Sequence, residues 1–308
     1  MKRALVIGSG SSANHHAKAL KRLGYEISFV TSRFIPNEIT NRSIEEGLAV
    51  NSTSLVVIAN ETYRHLQAID ELNALNYTGT VVCEKPLFAL GKNLSIGEFQ
   101  KFRISYNLRY DKSLLKFKNI IETHLADTKL VIMYYGRNLE MWRPQRKHLE
   151  TYSAYAHKGG GVLWDLSHDL DLCFWLFGDL KFLSSFGAKV SNITVDSDDF
   201  WDIKFIIGKS QAVGQLGLNY LDNKPERTLK VMKNNETLTL DILNGEIYSN
   251  SELIWKKSDS NNTFFDMHSD ILNNEKDLAC RLDEAMKLES FILSAFAHNS
   301  SLKESSKA

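Results

Sequence analysis

The chain opens Lys2-Arg3-Ala4-Leu5-Val6-Ile7-Gly8-Ser9-Gly10-Ser11-Ser12-Ala13-Asn14-His15-His16-Ala17, and this stretch decides the fold. Ala4 to Ile7 form a short apolar run bounded by glycine, the pattern of a strand buried on both faces. Ala13, Ala17, Leu20 and Leu23 then recur at helical spacing. Between strand and helix lies Gly8-x-Gly10-x-x-Ala13. In a dinucleotide-binding turn the first glycine permits the tight bend and the second lets backbone approach a pyrophosphate. The small third residue lets helix pack on strand. The helix N-terminus offers unpaired N–H groups and a positive dipole end to the phosphates. Gly8, Gly10, Ser11, Ser12 and Ala13 are therefore the first cofactor-binding candidates.

The pattern repeats outward from this turn. Arg3–Gly8, Glu26–Thr31, Ser54–Ala59 and Thr80–Glu84 read as buried strands, with Leu66, Ile69, Leu72 and Leu75 marking a further helix. Such alternation predicts a parallel sheet covered on both faces, an N-terminal Rossmann domain over residues 1–106. Past Tyr106 the texture changes. Asp111–Glu122 reads as a helix, Lys129–Tyr135 as a strand, and Gly159 to Phe177 as an apolar stretch long enough for a helix. Five strand-like runs follow: Phe182–Val190, Asp199–Ile207, Gln211–Tyr220, Arg227–Met232 and Glu236–Leu243. A helix over Leu278–Ala297 and a frayed tail, Asn299–Ala308, end the chain. Residues 107–308 are thus expected to form a C-terminal α+β domain with a large open, mainly antiparallel sheet.

Composition agrees. At about 150 residues per domain, 308 residues suggest two domains, and 43% apolar with 24% charged residues is ordinary for a globular protein. Lys+Arg and Asp+Glu both total 37, so no basic excess favours nucleic acid or a membrane surface. No apolar run approaches the roughly 18–20 residues of a membrane span. The four apolar residues after Lys2 and Arg3 fall short of the about 7–15 of a secretion signal. Three dispersed cysteines without a CxxC pair suggest neither a disulfide framework nor zinc, and a reducing, cytoplasmic setting is expected.

The end of the second strand bears on cofactor choice. An acidic residue there would bond the ribose 2′-hydroxyl of NAD. Here Val30-Thr31-Ser32-Arg33 offers a hydroxyl and a guanidinium, which suit a 2′-phosphate, so NADP(H) is favoured over NAD(H) through Ser32 and Arg33. The competing reading makes Arg33 a solvated surface charge. Further along, Val81-Val82-Cys83-Glu84-Lys85-Pro86 puts a charged pair at the carboxyl end of a buried strand, where open α/β sheets bind ligands. A lysine there can exchange a proton with a substrate hydroxyl or carbonyl. On spacing alone, a structural Glu–Lys salt bridge accounts for the pair equally well.

With these residues the chain resembles the Gfo/Idh/MocA oxidoreductases, the glucose–fructose oxidoreductase and inositol dehydrogenase-like enzymes. The resemblance rests on ordered signatures spanning almost the whole chain. These are Gly8-x-Gly10-x-x-Ala13-x-x-His16, Ala59-Asn60-Glu61-Thr62-x-x-His65, Glu84-Lys85-Pro86, Tyr106-Asn107-x-Arg109-Tyr110 and Gly159-Gly160-Gly161-Val162-Leu163-x-Asp165. It implies a Rossmann domain followed by an α/β domain with a large open sheet. It also implies a lysine, Lys85, beside nicotinamide and substrate, joined by the aspartate and histidine of the later helix. Lys85, Asp165 and His168 become the catalytic candidates, and Asn60, His65 and Glu84 join the cofactor set.

Three features depart from the family pattern. Glu61 stands where a proline is usual, and the stretch from Pro86 to Tyr106 is short, implying a trimmed helix. Asp165-Leu166-Ser167-His168-Asp169 puts the histidine one residue early and Asp169 in its expected place. At about 100° per residue, Asp165, His168 and Asp169 would still share one helix face. His168 reads either as an acid–base group or as a core histidine bonded to Asp165 or backbone. His65 reads equally as cleft lining or helix cap. His15 and His16 fit the loop and first helix better than a metal site. Asp169–Asp171 lacks the partners of a metal cluster, so no metal is expected.

Arg143, His148, Tyr152 and Tyr155 precede the glycine run, where related enzymes carry a substrate loop. Arg109, Arg143, Tyr152 and Asp169 are taken as substrate candidates, with a subunit interface as the competing reading. Trp142, Trp164, Trp175 and Trp201 are assigned to packing. The expected activity is hydride transfer between NADP(H) and a carbohydrate-like alcohol or ketone. The alternatives are a non-catalytic NADP(H)-sensing regulator and a reductase of a non-sugar substrate such as an imine or trans-diol. The open sheet is expected to be covered in a homodimer or homotetramer.

Overall fold

The computed structural model describes residues 2–49, 53–87, 90–91, 94, 96–122, 125–142, 147–260 and 262–305. The elements run β1 (Lys2–Ile7), α1 (Ser11–Arg22), β2 (Tyr25–Val30), β3 (Ile39–Asn41), α2 (Ile44–Ala49), β4 (Thr53–Ile58), α3 (His65–Ala74), β5 (Thr80–Cys83) and β6 (Lys101–Ile104). They continue as α4 (Lys112–Glu122), β7 (Leu130–Gly136), α5 (Leu139–Trp142), α6 (Val162–Asp165), α7 (Ser167–Phe177), β8 (Leu180–Ala188), β9 (Phe200–Ile207) and β10 (Val213–Asn219). The last are β11 (Glu226–Met232), β12 (Thr237–Asp241), β13 (Glu246–Ser249), β14 (Glu252–Lys256), α8 (Thr263–Asn273) and α9 (Leu282–Ser305).

Two compact units result. The first joins Met1–Tyr110 to Asn262–Glu289, and the second joins Asp111–Asn261 to Ser290–Ala308. The sequence assigns everything after residue 106 to one domain, whereas α8 and the start of α9 belong with the first unit. The reason is apolar burial. Met267 and Ile271 of α8 lie in one core cluster with Ala13, Ala17 and Leu20 of α1 and Ala4 and Val6 of β1. Each of the larger side chains, Val6, Leu20, Met267 and Ile271, contributes about 1.5–3 kcal/mol when fully buried. Asn262 caps α8 by accepting a hydrogen bond from the Phe265 N–H at 3.1 Å, and Asn274 ends it in the left-handed region.

The first unit holds a six-stranded sheet in the order β3-β2-β1-β4-β5-β6, every pair parallel. Leu5, Val6, Leu55–Ile58 and Val81–Cys83 are buried, as strands covered on both faces must be. Strand order reverses at β1/β4, the place where such sheets form their ligand crevice. The sequence reading omitted β3, which is three residues long, and β6, an edge strand alternating half-buried and buried residues. Among the described residues between β5 and β6, none is helical.

The second unit holds an eight-stranded sheet, β14-β13-β12-β11-β7-β10-β9-β8, antiparallel except for the β7/β10 pair. Its inner face is continuous: Val131 and Met133 of β7, Trp201, Ile203 and Phe205 of β9, and Leu229 and Val231 of β11 are fully buried. Phe291 packs edge-on against Phe174, Phe182 and Phe205, and Phe296 stacks on Trp164 and meets Trp201 edge-on. Trp164 and Trp201 thus serve packing.

Two further expectations are corrected. The apolar stretch 159–177 is not one helix: α6 and α7 meet at Leu166, whose φ of −94° and ψ of 21° break the helical run. The end of the chain does not fray at Asn299, because α9 continues to Ser305. The Asn299 amide clamps Gly187 of β8, accepting from its N–H at 2.9 Å and donating to its carbonyl at 2.8 Å.

Candidate active site

In the first unit the carboxyl ends of the strands stay laddered beyond the strands themselves. Gly8 N–H donates to Val30 O, Ala59 N–H to Ile7 O, Glu84 N–H to Ile58 O and Ser105 N–H to Cys83 O, at 2.8–3.0 Å. This aligns Gly8, Ala59, Glu84 and Ser105 in one row along the rim. Gly8 has φ +113°, and a Cβ there would lie 2.4 Å from Ala59 O, so both its conformation and its neighbour demand glycine. Gly10 differs: it has ordinary extended backbone, and a Cβ would meet nothing within 4 Å. Its bare face opens above the start of α1, which has neither a side-chain cap nor an acidic residue in its first turn. Ser11 is exposed, Ser12 half-buried and Ala13 buried. The Thr31 hydroxyl donates to Ser9 Oγ at 2.9 Å and accepts from Arg33 N–H at 3.1 Å, tying the β2 end to the glycine turn. Ser32 and Arg33 project into solvent.

Glu61, the replacement for proline, has φ −68° and ψ 140°. That φ lies within the range a proline ring imposes, so the turn after β4 keeps its backbone conformation. Behind it, His65 Nδ1 donates to Pro86 O at 2.9 Å, which leaves Nε2 as an acceptor. His65 Nε2 and Asn60 Oδ1 are buried polar atoms with no protein partner. Burial pushes the His65 imidazole below its usual range despite the Pro86 carbonyl and the Glu84 charge. A nicotinamide cofactor fits these groups: an open helix N-terminus for phosphates and two acceptors for donors, one just after β4 and one at the start of α3.

Glu84 is buried, and His16 Nε2 donates to its Oε1 at 2.8 Å. Burial alone would raise the Glu84 pKa. The His16 hydrogen bond, Lys85 and the Ser105 hydroxyl outweigh it and hold the carboxyl below its usual range. His16 Nδ1 in turn lies 2.7 Å from Nε2 of His268, which α8 supplies. Sequence reasoning had His16 as a motif residue and missed His268 and Ser105. Lys85 is half-buried and joined to Pro86 by a cis peptide. Arg109, a substrate candidate, is buried and donates to Leu278 O and to Glu284 at 3.2–3.3 Å, so it braces the first unit.

In the second unit Asp165 receives two tyrosines. Tyr152 OH donates to Oδ1 at 2.6 Å and Tyr220 OH to Oδ2 at 3.0 Å. Burial and the Asp165 charge push the Tyr220 hydroxyl well above its usual pKa, so it remains a donor. Tyr152 therefore reaches Asp165. A small, partly open hollow lies among Leu139, Trp142, His148, Thr151 and Ser153. His148 Nε2 donates to Thr194 O at 3.1 Å and Tyr155 OH to Leu149 O at 3.0 Å. Arg143 lies outside the described residues.

The break at Leu166 separates the residues expected on one helix face. Asp165 ends α6, and His168 sits half-buried in the first turn of α7. Asp169 is fully buried, with both oxygens held by Arg227 at 2.8 and 2.7 Å. Arg227 stacks on Tyr135, 4.3 Å from its ring centre. Asp169 thus braces α7 against the sheet, and Asp165 keeps a tyrosine environment of its own.

No family model and no curated protein matches the chain. Solved structures do match, over nearly full length. GenD2 from gentamicin A biosynthesis, in complex with NAD, aligns at TM-score 0.80 and 17% identity over 97% of this chain and 94% of that one. WlbA dehydrogenase from Bordetella pertussis, with NADH and UDP-GlcNAcA, aligns at TM-score 0.75 and 15% identity over 97% and 96%. UDP-N-acetylglucosamine 3-dehydrogenase GnnA from Acidithiobacillus ferrooxidans aligns at TM-score 0.68 and 15% identity over 97% and 98%. The chain has the two-domain fold of the Gfo/Idh/MocA-type oxidoreductases, the group its motifs resemble.

Proposed function

We propose that the chain is an NAD(P)-dependent oxidoreductase that moves a hydride between a nicotinamide cofactor and a sugar hydroxyl or ketone. The observation that carries this reading is the pair of unpartnered buried acceptors, Asn60 Oδ1 at the strand end that adjoins the Gly8 turn and His65 Nε2 at the start of α3. Gly8, Gly10, Ser11, Ser12 and Ala13 hold the pyrophosphate, Asn60 and His65 face the nicotinamide side, and Ser32 and Arg33 favour a 2′-phosphate. When bound, the nicotinamide accepts or supplies the hydride. In oxidation Lys85 Nζ takes the proton from the substrate hydroxyl. In reduction it returns the proton and stabilises the developing oxyanion. Within the second unit, Asp165, held by Tyr152 and Tyr220, and His168 are the further residues to which the family resemblance gives acid–base roles.

Nucleotide-linked sugars are the first substrates to test, because WlbA holds one. Self-association through the open face of the second sheet belongs to the same reading, supported by Phe186, Phe200, Ile206 and Val213 on that face. The test is calorimetry with NADPH and NADH, followed by a spectrophotometric screen of UDP-sugars. Lys85→Ala is expected to bind cofactor normally and lose roughly 10²–10⁴-fold in turnover, the range for a general acid–base group. Cofactor binding with no turnover of any sugar would favour the sensing regulator. No heat with either cofactor would end both readings.

A further inference from the structure

The molecule contains a buried chain of three titratable side chains that hydride transfer does not itself require. Glu84 Oε1 lies 2.8 Å from His16 Nε2, and His16 Nδ1 lies 2.7 Å from His268 Nε2. Both imidazoles are wholly buried, and His268 Nδ1 has no partner. They come from three separate parts of the first unit: the end of β5, α1 and α8. Phe264 of α8 stands edge-on to the His16 ring and stacks on His15. Other ionisable groups lie around the chain, among them His65 and the buried Cys83 thiol, which both feel the Glu84 charge. Lys85 adjoins Glu84, Tyr110 bonds Asp270, Arg109 pairs with Glu284, and His15 is exposed beyond Phe264.

The geometry fixes the protons. A nitrogen 2.8 Å from a carboxylate must carry hydrogen, so His16 is protonated at Nε2. One proton then lies between His16 Nδ1 and His268 Nε2. If it belonged to His16, that ring would be an imidazolium in a dry interior, and His268 would carry a buried Nδ1–H without an acceptor. If it belongs to His268, both rings are neutral Nε2–H tautomers, and the orphan is a bare lone pair. Buried N–H groups without acceptors are the rarer defect.

We propose that His268 is a positioning residue for Lys85: its Nε2–H occupies the Nδ1 lone pair of His16, keeps His16 neutral, and so reserves the Glu84 negative charge for the lysine beside it. Burial also holds the His268 imidazole well below its usual pKa, in keeping with a neutral donor. The consequence for catalysis rests on the function proposed above. The protonation pattern does not.

The test is ¹⁵N NMR of histidine-labelled protein without added cofactor, with resonances assigned by His16→Gln and His268→Gln. Both rings are expected to carry a single proton, at Nε2, from pH 5.5 to 8.5. His268→Gln, whose amide can still donate at that position, keeps His16 singly protonated. His268→Leu frees Nδ1, and His16 then takes a second proton on acidification within that range. Should a sugar substrate be found, turnover by the Leu variant gains an added inflection over the same pH interval, and turnover by the Gln variant does not. A doubly protonated His16 in the wild-type protein at pH 7.5 would overturn the proposal even if His268→Leu fails to fold. So would a His16 signal unchanged in a folded Leu variant. A wild-type protein that binds no nicotinamide would refute the enzyme reading and leave the NMR result standing.

Discussion

Arg227 closes on both carboxylate oxygens of Asp169, its Nε at 2.8 Å and its Nη2 at 2.7 Å. The sequence puts Asp169 where the family pattern has its histidine, but an aspartate so engaged is wholly buried and spends its charge on Arg227. Removing one partner of a buried pair strands the other charge, at a cost of about 3–5 kcal/mol, whereas replacing both by apolar residues is often neutral. Asp169→Ala is therefore expected to lower the urea midpoint sharply. The double variant Asp169→Leu/Arg227→Met should recover much of that loss. A mild effect of Asp169→Ala on stability, combined with loss of turnover, would return Asp169 to the substrate candidates.

The two glycines of the first turn do different work, and alanine separates them. At Gly8 a Cβ would strike the Ala59 carbonyl, and φ is +113°. Gly8→Ala should therefore destabilise the fold, by at least about 1–3 kcal/mol for the backbone conformation alone. At Gly10 a Cβ meets no protein atom. Gly10→Ala should melt within a degree or two of wild type yet bind NAD(P)H at least tenfold more weakly, about 1.4 kcal/mol. Unchanged cofactor affinity in Gly10→Ala would mean that the phosphates do not lie over this turn.

What the sequence made legible follows from how local each signal is. The Rossmann strands announce themselves because a strand buried on both faces is a continuous apolar run, and the glycine turn because its constraint lies within six residues. β3 and β6 escaped notice because edge strands need no such run. α8 is a different case. Phe264, Met267, His268 and Ile271 sit at positions i, i+3, i+4 and i+7 behind the capping Asn262, a readable signal masked by the flanking asparagines. Nothing local in His268 or Tyr220 says that they meet His16 and Asp165, since those partners lie 252 and 55 residues away. The helix-face argument for Asp165, His168 and Asp169 failed because a propensity reading does not foresee the break at Leu166.

Asp270 predicts a pH dependence of stability. Its Oδ2 accepts from Tyr110 OH at 2.6 Å and Leu278 N–H at 2.9 Å, and its Oδ1 from the N–H groups of Lys276 and Asp277. Burial would raise its pKa, but these four donors overcome it and hold the carboxyl below the usual range. A depressed folded pKa contributes stability that is complete above the unfolded value of about 3.9 and lost as pH falls through the folded one. Asp270→Asn turns an amide N–H toward donors, so at pH 7 it should lose about 1.5–3 kcal/mol, the worth of a bond to a charged group. The gap between variant and wild type should hold steady down to about pH 4 and narrow below it. A gap independent of pH would show that the carboxylate charge is not what matters.

The proposed NADP(H) preference rests on Arg33, and the exposure of that side chain makes the proposal measurable. The Thr31 hydroxyl fixes the backbone on which Ser32 and Arg33 stand, through Ser9 on one side and the Arg33 N–H on the other. A guanidinium at this position meets a 2′-phosphate in water, so the pair is screened by salt, falling off beyond a Debye length of about 8 Å at physiological strength. NADPH affinity should then drop with added salt more steeply than NADH affinity. Arg33→Ala should weaken NADPH by roughly tenfold or more, given about 1.5–3 kcal/mol for a charge-assisted bond, with NADH binding little changed. Arg33→Asp should go further, because a carboxylate repels the 2′-phosphate but can accept from the ribose hydroxyls of NADH. Fluorescence titration of both reduced cofactors with these variants decides the matter. Equal weakening of both cofactors by Arg33→Ala would assign Arg33 to the adenosine moiety that they share.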